Sequence, residues 1–206
     1  MTQFQTINPT RGMNVSSGPF ASTRYSLAAG CKKCGAGAEQ IGPLRTYSFK
    51  APKKGMILTN SGDILVAEAL AKSLLAQGFA VFERVETKTG KELAVRQLRA
   101  QGTLPPFSSQ TTGYLRERPC EDCGRSGYFG TAKAPFRLVY ESIPDALAAL
   151  DVLATWEEFG AAIVREPFED SVLPRPSLVI SERLANALKT LGVKQVGFEP
   201  VKLLER

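Results

Sequence analysis

The 206-residue chain contains no histidine. That absence removes His-dependent catalytic triads and dyads, mixed Cys/His zinc sites and the commonest general base. Long apolar runs are missing too, since charge interrupts each within a few residues, and the sequence predicts no membrane span. The N-terminal MTQFQTINPTRGMN has no apolar signal region, so the expected location is the cytoplasm. Nor is there a basic arm. Lys+Arg exceed Asp+Glu by 26 to 20, but the charges are dispersed, with Lys50, Lys53 and Lys54 forming one cluster and Arg116 and Arg118 another. Such a balance permits a nucleic-acid or acidic protein partner without requiring either, and a solvated face is the plainer reading. No phosphate-cradling glycine loop of the P-loop kind is present.

Cysteine is scarce, and its placement carries the chemistry. The four cysteines fall in two turns, Cys31-Lys32-Lys33-Cys34-Gly35 and Cys120-Glu121-Asp122-Cys123-Gly124. A two-residue spacer brings both sulfurs to one side of a tight bend, and the following glycine can take the positive φ the bend needs. Two such knuckles on separate hairpins predict one structural Zn2+ per chain, held by Cys31, Cys34, Cys120 and Cys123. Other uses of paired cysteines fit less well. A redox CxxC opens a helix after a strand, whereas these are followed by Gly35, Gly37, Gly124 and Gly127. Disulfides need an oxidising compartment. An iron–sulfur cluster also takes four thiolates, but nothing else in the sequence speaks for electron transfer. Catalytic zinc is disfavoured because four cysteines leave no position for water.

Along the chain, residues 1–21 read as an irregular lead-in, rich in Thr, Ser, Asn, Gly and Pro. Residues 22–100 form a first half around the first knuckle, 101–113 (QGTLPPFSSQTTG) a linker, and 114–206 a second half, the whole making one compact domain around a shared zinc. Arg24 to Leu27 and Leu44 to Phe49 read as strands of the first ribbon hairpin, while 91–99 fits a strand or a short helix equally. Apolar residues at 66, 67, 70, 71 and 74 predict a helix over 67–77 ending at Gly78, and Ser181 caps a second helix, 181–191, ending at Gly192. The stretch PDALAALDVLATWEEFG (144–160) predicts a third helix. On it Asp145, Asp151, Glu157 and Glu158 are candidate residues for an enzyme, and a solvent face explains them better. Trp156 and Phe159 read as core anchors.

A repeat also emerges. ILVAEALAKSLLAQG (64–78) aligns with LVISERLANALKTLG (178–192), and FERVE (82–86) with FEPVK (198–202). Either a duplication or convergence of short β–α–β blocks accounts for it. The expected fold class is therefore α+β, with zinc-ribbon-like paired knuckles joined to two strand–helix–strand units.

CEDCGR at 120–125, followed by SLVISERLANALKTLGVKQVGFEPV at 177–201, resembles the double-CXXCG family of myxobacterial proteins. The C-terminal block is also similar to a wider group of bacterial immunity proteins for polymorphic toxins. The resemblance covers the two knuckles and the last quarter of the chain, and carries over by residue only Cys31, Cys34, Cys120 and Cys123. It implies a non-enzymatic protein that binds and neutralises a cognate toxin domain. The alternative is a zinc-ribbon nucleic-acid binder, suggested by the net +6 charge and by Lys32-Lys33 at one knuckle tip. Against it stand Glu121-Asp122 at the other tip, which would repel phosphate.

Overall fold

Strand outweighs helix, with 37% of residues in strands and 14% in helices. The structure, a computed structural model, describes residues 4–9, 15–79, 81–131, 134–194 and 196–204. In chain order the elements are β1 (Phe4–Pro9), β2 (Arg24–Ser26), β3 (Glu39–Ile41), β4 (Leu44–Thr46), β5 (Met56–Leu58), β6 (Ile64–Ala67), α1 (Glu68–Leu75), β7 (Phe82–Thr87), β8 (Glu92–Leu98), β9 (Gly102–Thr103), β10 (Tyr114–Arg116) and β11 (Tyr128–Gly130). They continue with β12 (Val139–Tyr140), α2 (Asp145–Ala148), β13 (Val152–Phe159), β14 (Arg175–Ser181), α3 (Glu182–Thr190), β15 (Val196–Pro200) and β16 (Lys202–Leu203). Two curled sheets dominate: one of seven strands in the order β10-β11-β13-β14-β1-β15 with β9 beside β13, and one of five in the order β4-β7-β8-β6-β5.

This corrects the expected α+β, zinc-ribbon-like fold class: the molecule is mainly β with three short helices. The misleading stretch is 144–160. Pro144 and Asp145 do open a helix, but it lasts one turn, and Val152–Phe159 becomes the central strand of the larger sheet. Its helix-forming residues are overruled by burial on both faces. Val152 packs into one core cluster and Leu153 into another, so the strand shows no alternation that could mark it as β. The same reason hides β1. Residues 4–9 lie in the segment read as irregular, yet Phe4 and Ile7 point to opposite sides and are both buried, in a strand held between β14 and β15. The 101–113 segment is also built in, since Gly102 and Thr103 pair with β13 and Leu104 is buried. Residues 91–99, ambiguous in sequence, contain strand β8.

The two aligned sequence blocks occupy matching positions in the two sheets. Strands β5, β6, β8 and β7 are adjacent in that order in the smaller sheet, and β13, β14, β1 and β15 in the larger, with every neighbouring pair antiparallel. Register matches as well: Val66 faces Met56 and Arg96, and Ile180, its aligned partner, faces Val152 and Gln5. Glu83 lies opposite Gln97, as Glu199 lies opposite Thr6. Helices α1 and α3 follow β6 and β14 and bury Leu70, Leu74, Leu184 and Leu188 in one shared cluster, which joins the two sheets. Among the described residues no helix is long and apolar enough to cross a membrane.

Candidate metal centre

Each pair of cysteines sits between two short antiparallel strands. Strands β2 and β3 carry the first turn, where Gly35 N–H donates to the Cys31 carbonyl at 2.7 Å and Ala36 N–H points at the Cys34 sulfur at 3.5 Å. Strands β10 and β11 carry the second, closed by Gly124 N–H to the Cys120 carbonyl at 2.8 Å. Gly35 and Gly124 take φ of +76° and +67°, conformations that strain other L-residues. At Gly35 a Cβ would in addition collide with Leu173.

The fold brings all four predicted ligands together. Cys31 Sγ lies 3.8 Å from Cys120 Sγ, Cys34 Sγ lies 3.5 Å from Cys123 Sγ, and all four sulfurs lie within 4.8 Å of one another. A tetrahedral site with metal–sulfur bonds of about 2.3 Å has sulfur–sulfur edges of about 3.8 Å. The cluster therefore fits a single four-thiolate metal ion, and the cysteines are not joined as disulfides. Ionisation is uneven without a cation. Burial raises the Cys31 thiol, but N–H groups of Cys34 and Lys33, with bonds from Cys34 and Cys120, outweigh it and bring the pKa down to about 7. Burial pushes Cys34 up and Cys123 up to about 12. A divalent cation supplies the charge that lets all four ionise together, so binding it releases protons.

The knuckle tips face one another. Lys33 Nζ is 3.3 Å from Asp122 and 3.5 Å from Glu121. These groups are exposed and the pair adds orientation more than stability.

The residue that sequence reasoning missed is Glu158. It was placed on the solvent face of a helix; it lies on β13 with 4% of its surface exposed. Its Oε1 accepts from Gly37 N–H of the first knuckle at 2.7 Å and from Arg125, which follows the second knuckle, at 3.0 Å. Arg125 also donates to the Trp156 carbonyl at 3.1 Å and stacks over the Trp156 ring. One buried carboxylate thus clamps both knuckles from behind. Burial raises its pKa, opposed by Gly37 N–H and Arg125. No local signal marked it, because β13 is buried on both faces and the consecutive Glu157 and Glu158 are both buried.

The remaining carboxylates from that stretch do not converge. Asp151 accepts from Ser181 at 2.7 Å and pairs with Arg183; Glu157 accepts from Phe107 N–H at 2.9 Å; Asp145 is exposed at the start of α2. No acid–base pair forms among them.

Compared with models of known protein families, the chain matches none, and no curated protein is significantly similar to it.

Proposed function

We propose that this chain is an immunity protein that binds and neutralises a cognate toxin domain, with its four cysteines holding one structural Zn2+. The observation that carries the reading is the convergence of the two CxxCG knuckles on a single site whose four thiolates fill a tetrahedral shell. Such a centre staples a fold and leaves no position for a reacting water, which suits a protein that acts by surface complementarity. Zinc is preferred over iron because the tetrahedral four-thiolate set is its commonest structural environment. The double-CXXCG pattern and the 177–201 block, similar to bacterial immunity proteins, supply the class of partner. Pairing of Lys33 with Glu121 and Asp122 weighs against the nucleic-acid alternative, because the tip lysine already faces two carboxylates.

Two measurements test the reading. Metal analysis of purified protein should find zinc near one equivalent, lost in Cys120→Ser. Expression of this chain together with its cognate toxin domain should restore growth to cells that the toxin alone arrests, with the two proteins co-purifying. Rescue without association would replace occlusion by enzymatic or regulatory protection.

A further inference from the structure

The charge of this protein is strongly polarised along the chain. Of 26 Lys/Arg and 20 Asp/Glu, residues 1–62 carry eight of the former and one of the latter, Glu39; the remaining residues carry eighteen and nineteen. The whole net positive charge therefore belongs to the first third, which supplies β2 to β5 and the edge strand β4 of the smaller sheet.

Two large aromatic side chains emerge at that edge. Tyr47, directly after β4, is 48% exposed, and Phe20 is 42% exposed. They are neighbours, because the Tyr47 hydroxyl donates to the Phe20 carbonyl at 3.2 Å. Lys88 Nζ stands 5.6 Å over the Tyr47 ring, fixed by its own N–H bonded to the Thr46 carbonyl at 2.8 Å. Arg24 is exposed on β2, and the preceding residue, Thr23, ties β2 to β4 by bonding both N–H and carbonyl of Arg45 through Oγ1. Lys50 is exposed three residues beyond Tyr47. Glu86, opposite Arg45 on β7, is committed to Arg45 and Arg84. Arg24, Lys50 and Lys88 have no carboxylate partner among the described residues.

We infer that this corner, with Tyr47 and Phe20 as anchors and Arg24, Lys50 and Lys88 as its charged rim, is the docking surface for an acidic face of a partner protein. Rigid aromatics ringed by cations form the kind of patch that concentrates binding energy, and unpaired surface cations steer an acidic partner into register. A single-stranded nucleic acid fits less well. Stacking needs a free ring face, and Lys88 covers one face of Tyr47 while its hydroxyl is tied to Phe20. The inference rests on the immunity reading for the identity of the partner.

The test uses the full chain and the purified toxin domain from the neighbouring reading frame, with association measured at low and moderate salt. Variants are Tyr47→Ala, Lys88→Glu and, as a control on β16, Lys202→Glu, each first checked for metal content and unfolding midpoint. Tyr47→Ala should weaken binding about thirtyfold, mainly through faster dissociation. Lys88→Glu should slow association about tenfold at low salt and less at moderate salt. Lys202→Glu should stay within about twofold of the parent. If the parent binds the toxin and both corner variants bind equally well, the surface is wrong and the immunity reading stands. If the parent does not bind the toxin, the reading fails and the surface with it. Salt-sensitive binding of a single-stranded RNA 20-mer, abolished by Lys88→Glu and unaccompanied by toxin binding, would transfer the corner to nucleic acid and overturn the proposal.

Discussion

The set β5-β6-α1-β7-β8 and the set β13-β14-α3-β15-β1 have the same strand order and the same register, but they differ in two connections. In the first set β5 turns back at once into β6 through residues 59–63, with Thr59 N–H bonded to the Asp63 carbonyl at 2.9 Å. In the second, β13 runs on to Phe159 and returns only at Arg175. That extension delivers Trp156 and Glu158 to the knuckles. The other difference concerns the strand between the two arms. In the first set it is β8, joined to β7 by the 88–91 turn; in the second it is β1, from the opposite end of the chain. A shared core thus has one lengthened hairpin that serves the metal centre, and one borrowed strand that ties the N-terminus into the larger sheet.

The largest expected effect comes from breaking the centre that the lengthened hairpin supports. Cys120→Ser, or removal of the metal by a strong chelator, should abolish cooperative unfolding or lower stability by several kcal/mol, because binding free energy at such sites is folding free energy. Glu158→Gln should keep the ion and weaken it less, since the Gly37 bond can persist while the ion pair with Arg125 is lost. Metal retention during a chelator competition distinguishes the two. If Glu158→Gln released the metal as readily as Cys120→Ser, the carboxylate would hold more than the orientation of the knuckles.

The borrowed strand gives the next effect. Deleting residues 1–9 should remove the strand that links β14 to β15 and prevent native folding, whereas lengthening the 88–91 turn by a few Gly/Ser residues should cost about 1 kcal/mol or less, as loop entropy grows slowly with length. Denaturant unfolding followed by far-UV circular dichroism would show it. Equal tolerance of both changes would mean that the matching registers of β1 and β8 have no energetic counterpart.

What the sequence made legible follows from locality. The two CxxCG turns, the Ser181 cap and the apolar stripes of α1 and α3 are signals contained within a few residues, and each lies where the residues indicated. What it hid depends on distant partners. Strand β13 is buried on both faces, and helix formers such as Leu153, Ala154 and Glu157 overstate its helicity. Strand β1 has only Phe4 and Ile7 to mark it, and its neighbours lie far along the chain. The mainly β fold is the sum of such distant pairings.

A smaller effect separates the two helices. Ser181 caps α3, accepting from Leu184 N–H at 3.1 Å and donating to Asp151; the aligned Ala67 before α1 has no side-chain cap. Ser181→Ala should cost about 1–2 kcal/mol, from the lost cap and a buried carboxylate with one fewer donor. Ala67→Ser should gain no more than about half a kcal/mol, since the first set has Gly55 where the second has Asp151. Thermal midpoints of the two variants should therefore move in opposite directions by unequal amounts. A Ser181→Ala change without effect would show that Arg183 alone satisfies Asp151.

The smallest effect tests the extension of β13 through pH. Glu157 is 2% exposed; its Oε1 accepts from Phe107 N–H, and its Oε2 has no hydrogen-bond partner among the described residues. Burial raises its pKa above the ordinary carboxylate value, with Phe107 N–H, Arg125 and Arg116 opposing. The folded protein therefore holds this proton to higher pH than the unfolded chain does. Its contribution is fully present below the unfolded pKa of about 4.3 and is lost as pH rises through the higher folded pKa. Glu157→Gln keeps the acceptor for Phe107 and removes the buried charge, so its stability advantage over the parent should open as pH rises through that window and level off above it. The metal centre works in the other direction, because protonating thiolates weakens metal binding as pH falls. Unfolding curves for both proteins in saturating zinc separate the two, since the centre is common to both and cancels in the difference. A deficit relative to the parent that widens as pH rises would mean that the charged form of Glu157 is held by a partner at Oε2.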